Sequence, residues 1–213
     1  YLSSVTIENF SNYAYGYPSK YLLGEEYPNY WRPVDGDDRL RRAAFRALLF
    51  ILLFPISIVD FALQPTLKAR RLYARRLDRR LSRSLKQALS PVVRGFAGKG
   101  SERSQPFDSR TDFFRFLYHL ALERAPGHAG KFQNYVALYG FLRTVCFICV
   151  LVFWGALSSP FWSPNGGAGS GWIALGIAGI TFLFYMGFVK FYRRFTLEVF
   201  MAVAAVSAAP RPN

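Results

Sequence analysis

Two apolar runs close to the C-terminal end, Thr144–Ser159 and Trp172–Val189, are joined by PFWSPNGGAGSG, a stretch with no charge at all. Helical segments of this length and composition are solvated by lipid more readily than by water. The Pro, Gly and Asn content of Pro160–Gly171 makes the connection a turn. Arg143 precedes the pair and Lys190, Arg193 and Arg194 follow it. Basic residues stay on the cytoplasmic side of a membrane, so both ends of this C-terminal transmembrane hairpin are expected there. Trp154, Trp162 and Trp172 are placed to mark the opposite interface. Gly171, Gly176, Gly179 and Gly187 offer sites of close helix contact.

A third apolar block, Ala43–Leu63, is also long enough to span, but two features oppose a simple crossing. Pro55 stands near its centre, and basic residues flank both ends: Arg39, Arg41, Arg42 and Arg46 before it, Lys68, Arg70 and Arg71 after it. Each half, at 1.5 Å per residue, rises roughly 15 Å, about half a hydrocarbon core. The favoured reading is a re-entrant or interfacial hairpin turning near Pro55, with a full span as its rival. Backbone carbonyls left open at such a turn need cover from the C-terminal spans, because lipid cannot supply it. Gly176 and Gly179 are the expected neighbours. Asp60 falls on the returning arm, near enough to the surface to be solvated or paired.

Charge is concentrated between these blocks. Of a formal net +14, the stretch Gln64–Arg143 holds 17 Lys/Arg against five acids, a local net of +12. From Thr66 to Leu89 the spacing is helical. Leu67, Leu72, Leu77, Leu81, Leu85 and Leu89 form one stripe, with Arg70, Arg71, Arg75, Arg76, Arg79, Arg80 and Arg83 around it. A basic amphipathic helix of this kind suits an anionic leaflet, and these seven arginines are the candidate lipid- or partner-binding residues. The alternative is a solvated face on a helix packed against its own protein. Only Tyr73 interleaves with the basic run, so base stacking of the kind single-stranded nucleic acid needs is poorly served.

The N-terminal stretch 1–42 is rich in Tyr and broken by Pro18, Pro28 and Pro33. Its opening LSSVTIENFSNYA fits a short helix, and the aromatic remainder fits an interfacial or packing loop. The chain starts at Tyr1 without a basic-then-apolar leader, so a preceding or removed segment is expected. Gly95–Pro106 reads as a loop. Ser109–Asp112 has capping-box spacing before a helix that Pro126 and Gly127 end. A further helix starts near Ala129 and runs into the first span. The last helix continues past Arg194 through Glu198 to about Ala208.

No constellation of residues carries a reaction. His119 and His128 each follow an arginine by four positions, an interval too short for the Arg…His motif of HEPN-type ribonucleases. Cys146 and Cys149 sit inside an apolar run, without the setting of a redox pair. The acids of DGDD near Asp35 lack the spacing of a calcium loop. No zinc-like spacing, phosphate loop or nucleophile elbow occurs. Catalytic, cofactor and metal residues are therefore none by expectation.

Three stretches, YAYGYPSKYLLGE, KFQNYVALYGFLRTVCF and KFYRRFTLEVF, resemble a type of bacterial integral membrane protein without an assigned activity. The resemblance implies bacterial origin, helical architecture and a membrane location, and no site residues. The chain is thus expected to be an all-α, multi-pass membrane protein. It divides into an aromatic segment 1–42, a re-entrant or transmembrane segment 43–63, a basic cytoplasmic region 64–128 and a two-span hairpin with helical extensions 129–209. The economical function is a non-enzymatic subunit that anchors or organises a partner assembly at the cytoplasmic face. A small oligomeric pore or effector is the rival, and a lipid-acting enzyme using Asp60 or His119 the third reading. The expected partners are anionic membrane lipids and a protein partner or a second copy, with nucleic acid the weaker case.

Overall fold

The computed structural model describes residues 1–23, 39–67, 77–97, 111–162 and 169–208. Among the described residues every element is helical and none is a strand. A π turn over Ser4–Glu8 leads into α1 (Asn9–Tyr15). There follow α2 (Pro18–Leu22), α3 (Arg39–Leu52), α4 (Phe54–Leu67), α5 (Arg79–Ala97), α6 (Thr111–Arg124), α7 (Ala129–Trp162) and α8 (Gly169–Ala208). The chain divides into two units. The first comprises Tyr1–Gly16, Pro28–Ala74 and Leu138–Phe191; the second comprises Tyr17–Tyr27, Arg75–Ala137 and Tyr192–Asn213.

In the first unit α7 and α8 pair antiparallel, as the uncharged turn requires. Tyr139 meets Phe188, the Cys146 thiol lies 3.7 Å from the Thr181 carbonyl, and Phe153 packs with Ala174 and Ala178. Partner numbers fall on one helix as they rise on the other. Gly187 lets the Leu142 side chain approach to within 3.3 Å of where a Cβ would stand. Gly176 and Gly179 do not perform that role: nothing lies within 4 Å of a Cβ built on either. The inward face of α8 at this level is made by Ala174 and Ala178, and Val59 of α4 packs on it. The outward faces are apolar, with Phe141, Ile148 and Leu151 on α7 and Ile173, Ile180 and Leu183 on α8 all exposed. Both helices are long and apolar enough to cross a membrane.

The third apolar block is broken as its proline demands. The axes of Ala43–Leu52 and Phe54–Leu63 meet at 87°, between the shallow kink of a single span and the reversal of a closed hairpin. The break falls at Leu53, so Pro55 lies in the first turn of α4, where its missing N–H costs no helical bond. The Ile56 and Ser57 amides both turn to the Leu53 carbonyl, at 2.9 Å each. The Leu52 carbonyl accepts a 2.8 Å bond from the Trp154 indole N–H. The Ser57 hydroxyl donates to the Phe50 carbonyl at 3.2 Å. Cover for the corner thus comes from the first C-terminal span, as lipid exposure requires. Trp154 is eleven residues along α7 from Arg143, about 16 Å at 1.5 Å per residue.

The N-terminal helix belongs to this core. Ile7, Phe10, Ala14 and Tyr15, spaced along one face, are all buried. The Phe10 ring stands edge-on to Phe50 of α3 at 5.2 Å and to Tyr185 of α8 at 5.7 Å. Thr6 and Asn9 return their side-chain donors to the Leu2 and Val5 carbonyls, so their polarity is met inside the helix. Gly16 ends α1 at φ 82°, a conformation glycine adopts without strain.

In the second unit, Phe114 and Tyr118 of α6 pack their rings against Phe195, and Tyr118 also against Phe132. Tyr21, Leu22 and Leu23, which belong to this unit, are buried. The single helix expected over Thr66–Leu89 is interrupted. Leu77 and Asp78 are outside any helix, and the Leu77 amide donates to the Leu22 carbonyl at 3.3 Å. The Asp78 carboxylate accepts the Arg80 amide at 3.1 Å, which is how an N-cap starts a helix. The helix then runs to Ala97, past the expected start of the loop at Gly95.

Candidate functional site

Three of the seven candidate arginines can be placed. Arg79, Arg80 and Arg83 are exposed on α5, and Lys86 is half-buried one turn further on. Arg70, Arg71, Arg75 and Arg76 lie outside the described residues. The leucines of the same helix behave differently. Leu81 is exposed, whereas Leu85 and Leu89 retain 2% and 0% of their surface. That half of the stripe is covered by the protein itself. The first turn of α5 has no acid, so Arg79 and Arg80 sit at the end of the helix where the macrodipole favours negative charge.

A second polar centre lies in the first unit, and sequence spacing gave no hint of its partner. Asp60 of α4 is fully buried, and the Tyr15 phenol of α1 donates to its Oδ1 at 2.8 Å. The Tyr15 ring lies 5.9 Å from that of Tyr185. The expectation of a paired Asp60 is met, by a residue 45 positions away. About two turns back along the N-terminal helix, Glu8 accepts a 2.7 Å bond from the Arg143 guanidinium, which also stands 5.9 Å over the Tyr139 ring. Glu8 and Arg143 are half-buried. A carboxylate and a cation leaving water need each other to offset their desolvation. Tyr15 and Glu8 therefore tie one short helix to α4 and to α7.

The remaining reactive types do not gather. His119 is exposed beside Tyr118. His128 faces Glu198 at 4.0 Å in the second unit, with Phe132 against its ring. Cys146 and Cys149 are free thiols. Among the described residues no three His, Cys, Asp or Glu side chains converge as metal ligands; the DGDD acids and Ser109 lie outside them. Burial pushes the Tyr21 phenol above its ordinary range, with the Arg193 charge opposing.

Broken and continuous apolar helices, outward apolar faces and polar groups paired within the core define an all-α helical membrane protein. No family model, curated protein or solved structure matches the chain.

Proposed function

We propose that the chain is a non-enzymatic, multi-pass membrane subunit that anchors or organises a partner assembly at the cytoplasmic face of a bacterial membrane. The observation that carries this reading is α5, an amphipathic helix with Leu85 and Leu89 turned inward and Arg79, Arg80 and Arg83 held outward. A helix already satisfied on its apolar side offers charge to something outside the protein. In this reading both ends of the α7–α8 hairpin, the N-terminal helix and the basic segment share the cytoplasmic side. The Glu8–Arg143 pair supports the placement by tying the N-terminal helix to the charged end of the α7 span. The Tyr15–Asp60 bond draws α4 toward that same helix, in keeping with an arm that returns and does not cross.

Purification of the tagged full chain in mild detergent, with identification of co-migrating proteins, tests the reading. A stoichiometric heterologous partner that is lost on Arg79→Gln, Arg80→Gln and Arg83→Gln is the expected result. A homogeneous ring of this chain alone would replace the anchor with the pore. That second reading is favoured by the open surface over Gly176 and Gly179, where another helix backbone can approach closely. A lipid-acting enzyme built on Asp60 or His119 has less in its favour, since Asp60 is enclosed and His119 stands on an exposed helix face.

A further inference from the structure

We infer that α5 rests on the anionic surface of the membrane through its arginine face, an electrostatic contact with lipid phosphates in which the enclosed Leu85 and Leu89 take no part. The inference deepens the reading above and rests on its placement of the basic segment at the cytoplasmic face.

An inserting amphipathic helix needs its apolar face free to enter the headgroup–acyl boundary. Leu85 and Leu89 are already enclosed, leaving Leu81 as the large apolar side chain exposed between Arg79 and Arg83. The opposite side of the helix, from Arg80 and Arg83 to Ser84 and Gln87, is exposed and carries no apolar residue. Arg79 and Arg80 also stand in the first turn, where positive charge opposes the helix dipole and acids are preferred. Their placement does not serve helix stability. Asp78 already accepts the Arg80 amide there, so an external anion is met by the exposed guanidinium groups of Arg79, Arg80 and Arg83.

The membrane is the anion within reach. Arg79 is sixteen residues from Leu63, no more than roughly 55 Å even fully extended. The apolar helices hold the chain at the bilayer permanently, so α5 meets lipid phosphate at the high effective concentration of a tethered ligand. Arginine suits phosphate through its forked, permanently charged donors.

The test uses the full chain with Cys146→Ala, Cys149→Ala and Ser84→Cys, carrying a fluorophore on the introduced thiol. It is reconstituted in phosphatidylcholine vesicles with or without phosphatidylglycerol. Quenching by a headgroup-attached quencher is expected only with phosphatidylglycerol. It should fade as salt screens the charges, while an acyl-chain quencher stays silent. With Arg79→Gln, Arg80→Gln and Arg83→Gln, the ratio of apposed to free α5 should drop on the order of a hundredfold, about fivefold per arginine. Quenching in neutral vesicles, or by the acyl-chain probe, would show insertion and overturn the inference. Salt-sensitive binding of an RNA oligonucleotide without lipid quenching would also overturn it, in favour of nucleic acid. Partner co-purification surviving without quenching would sink the lipid contact alone; quenching without any partner would sink the anchor reading alone.

Discussion

The Trp154 indole N–H reaches across from α7 to the Leu52 carbonyl at 2.8 Å, meeting an acceptor that the right-angle break between α3 and α4 leaves without a helical partner. Leu52 stands just before the break and Trp154 is packed against Phe153, edge to face at 5.6 Å. The indole thus closes the corner from one side while its ring contributes to the apolar packing around Phe153, Ala174 and Ala178, which Val59 also joins.

Trp154→Phe retains most of the ring and deletes the donor. An unmet carbonyl away from water costs about 1–3 kcal/mol, so the variant should unfold at a lower temperature in detergent by a corresponding margin. Trp154→Ala should lose more, since packing goes as well. Equal stability of wild type and Trp154→Phe would mean that another donor serves Leu52.

Tyr15 and Asp60 should be energetically coupled. Tyr15→Phe and Asp60→Asn each weaken the bond between α1 and α4, and the pair of changes together should be less harmful than the two separate losses added. A coupling of roughly 1.5–3 kcal/mol is expected for a hydrogen bond to a carboxylate, measured by a double-mutant cycle on unfolding in detergent. Strict additivity would show that the two residues act independently.

Tyr21 predicts an alkaline limb in stability. Burial raises its phenol above the ordinary tyrosine value of 10.0, so the folded chain keeps a proton that the unfolded chain releases above that pH. The folded state then binds more protons, and stability falls as pH rises through and beyond about 10. The Tyr21 hydroxyl is also buried without a hydrogen-bond partner among the described atoms. Tyr21→Phe should therefore flatten the decline above pH 10 relative to wild type and leave neutral-pH stability unchanged or improved. An unchanged slope would place the effect with other tyrosines.

The proposed topology places Asn165 outside and Arg80, Ser101, Arg46 and Lys68 inside. Single cysteines at these positions, after removal of Cys146 and Cys149, should react with an impermeant thiol reagent from outside intact cells only at 165. Labelling at 46 but not at 68 would instead favour a bent full span through α3 and α4.

The two spans were legible because apolar length and flanking charge are local properties, and the corner because Pro55 cannot continue a helix from Ile51. The facing of the spans was not. A run apolar all round has no periodicity to separate Ala174 and Ala178, which face inward, from Gly176 and Gly179, which do not. The leucine spacing announced an amphipathic helix but held nothing about what covers it, protein at Leu85 and Leu89. The short helix at the N-terminus was readable from Ile7, Phe10 and Ala14, yet its partners were out of reach. Tyr15 and Asp60 carry no mutual signal across 45 positions. The break at Leu77–Asp78 was hidden by leucine spacing that continues on both sides of it, although Asp78 as a lone acid was the available cue for a cap.

Glu8 and Arg143 are 135 positions apart, and that separation sets an order of events during synthesis. At about 5–20 residues per second, the guanidinium that holds the first helix emerges roughly 7–27 s after Glu8, and Tyr185 later still. The helix that carries Glu8 is thus fully seated only after α7 and α8 have been made. Until then Phe10 and Tyr15 can meet only Phe50 and Asp60, and the side of this helix that Tyr185 and Arg143 cover stays open to lipid, insertion machinery or a chaperone.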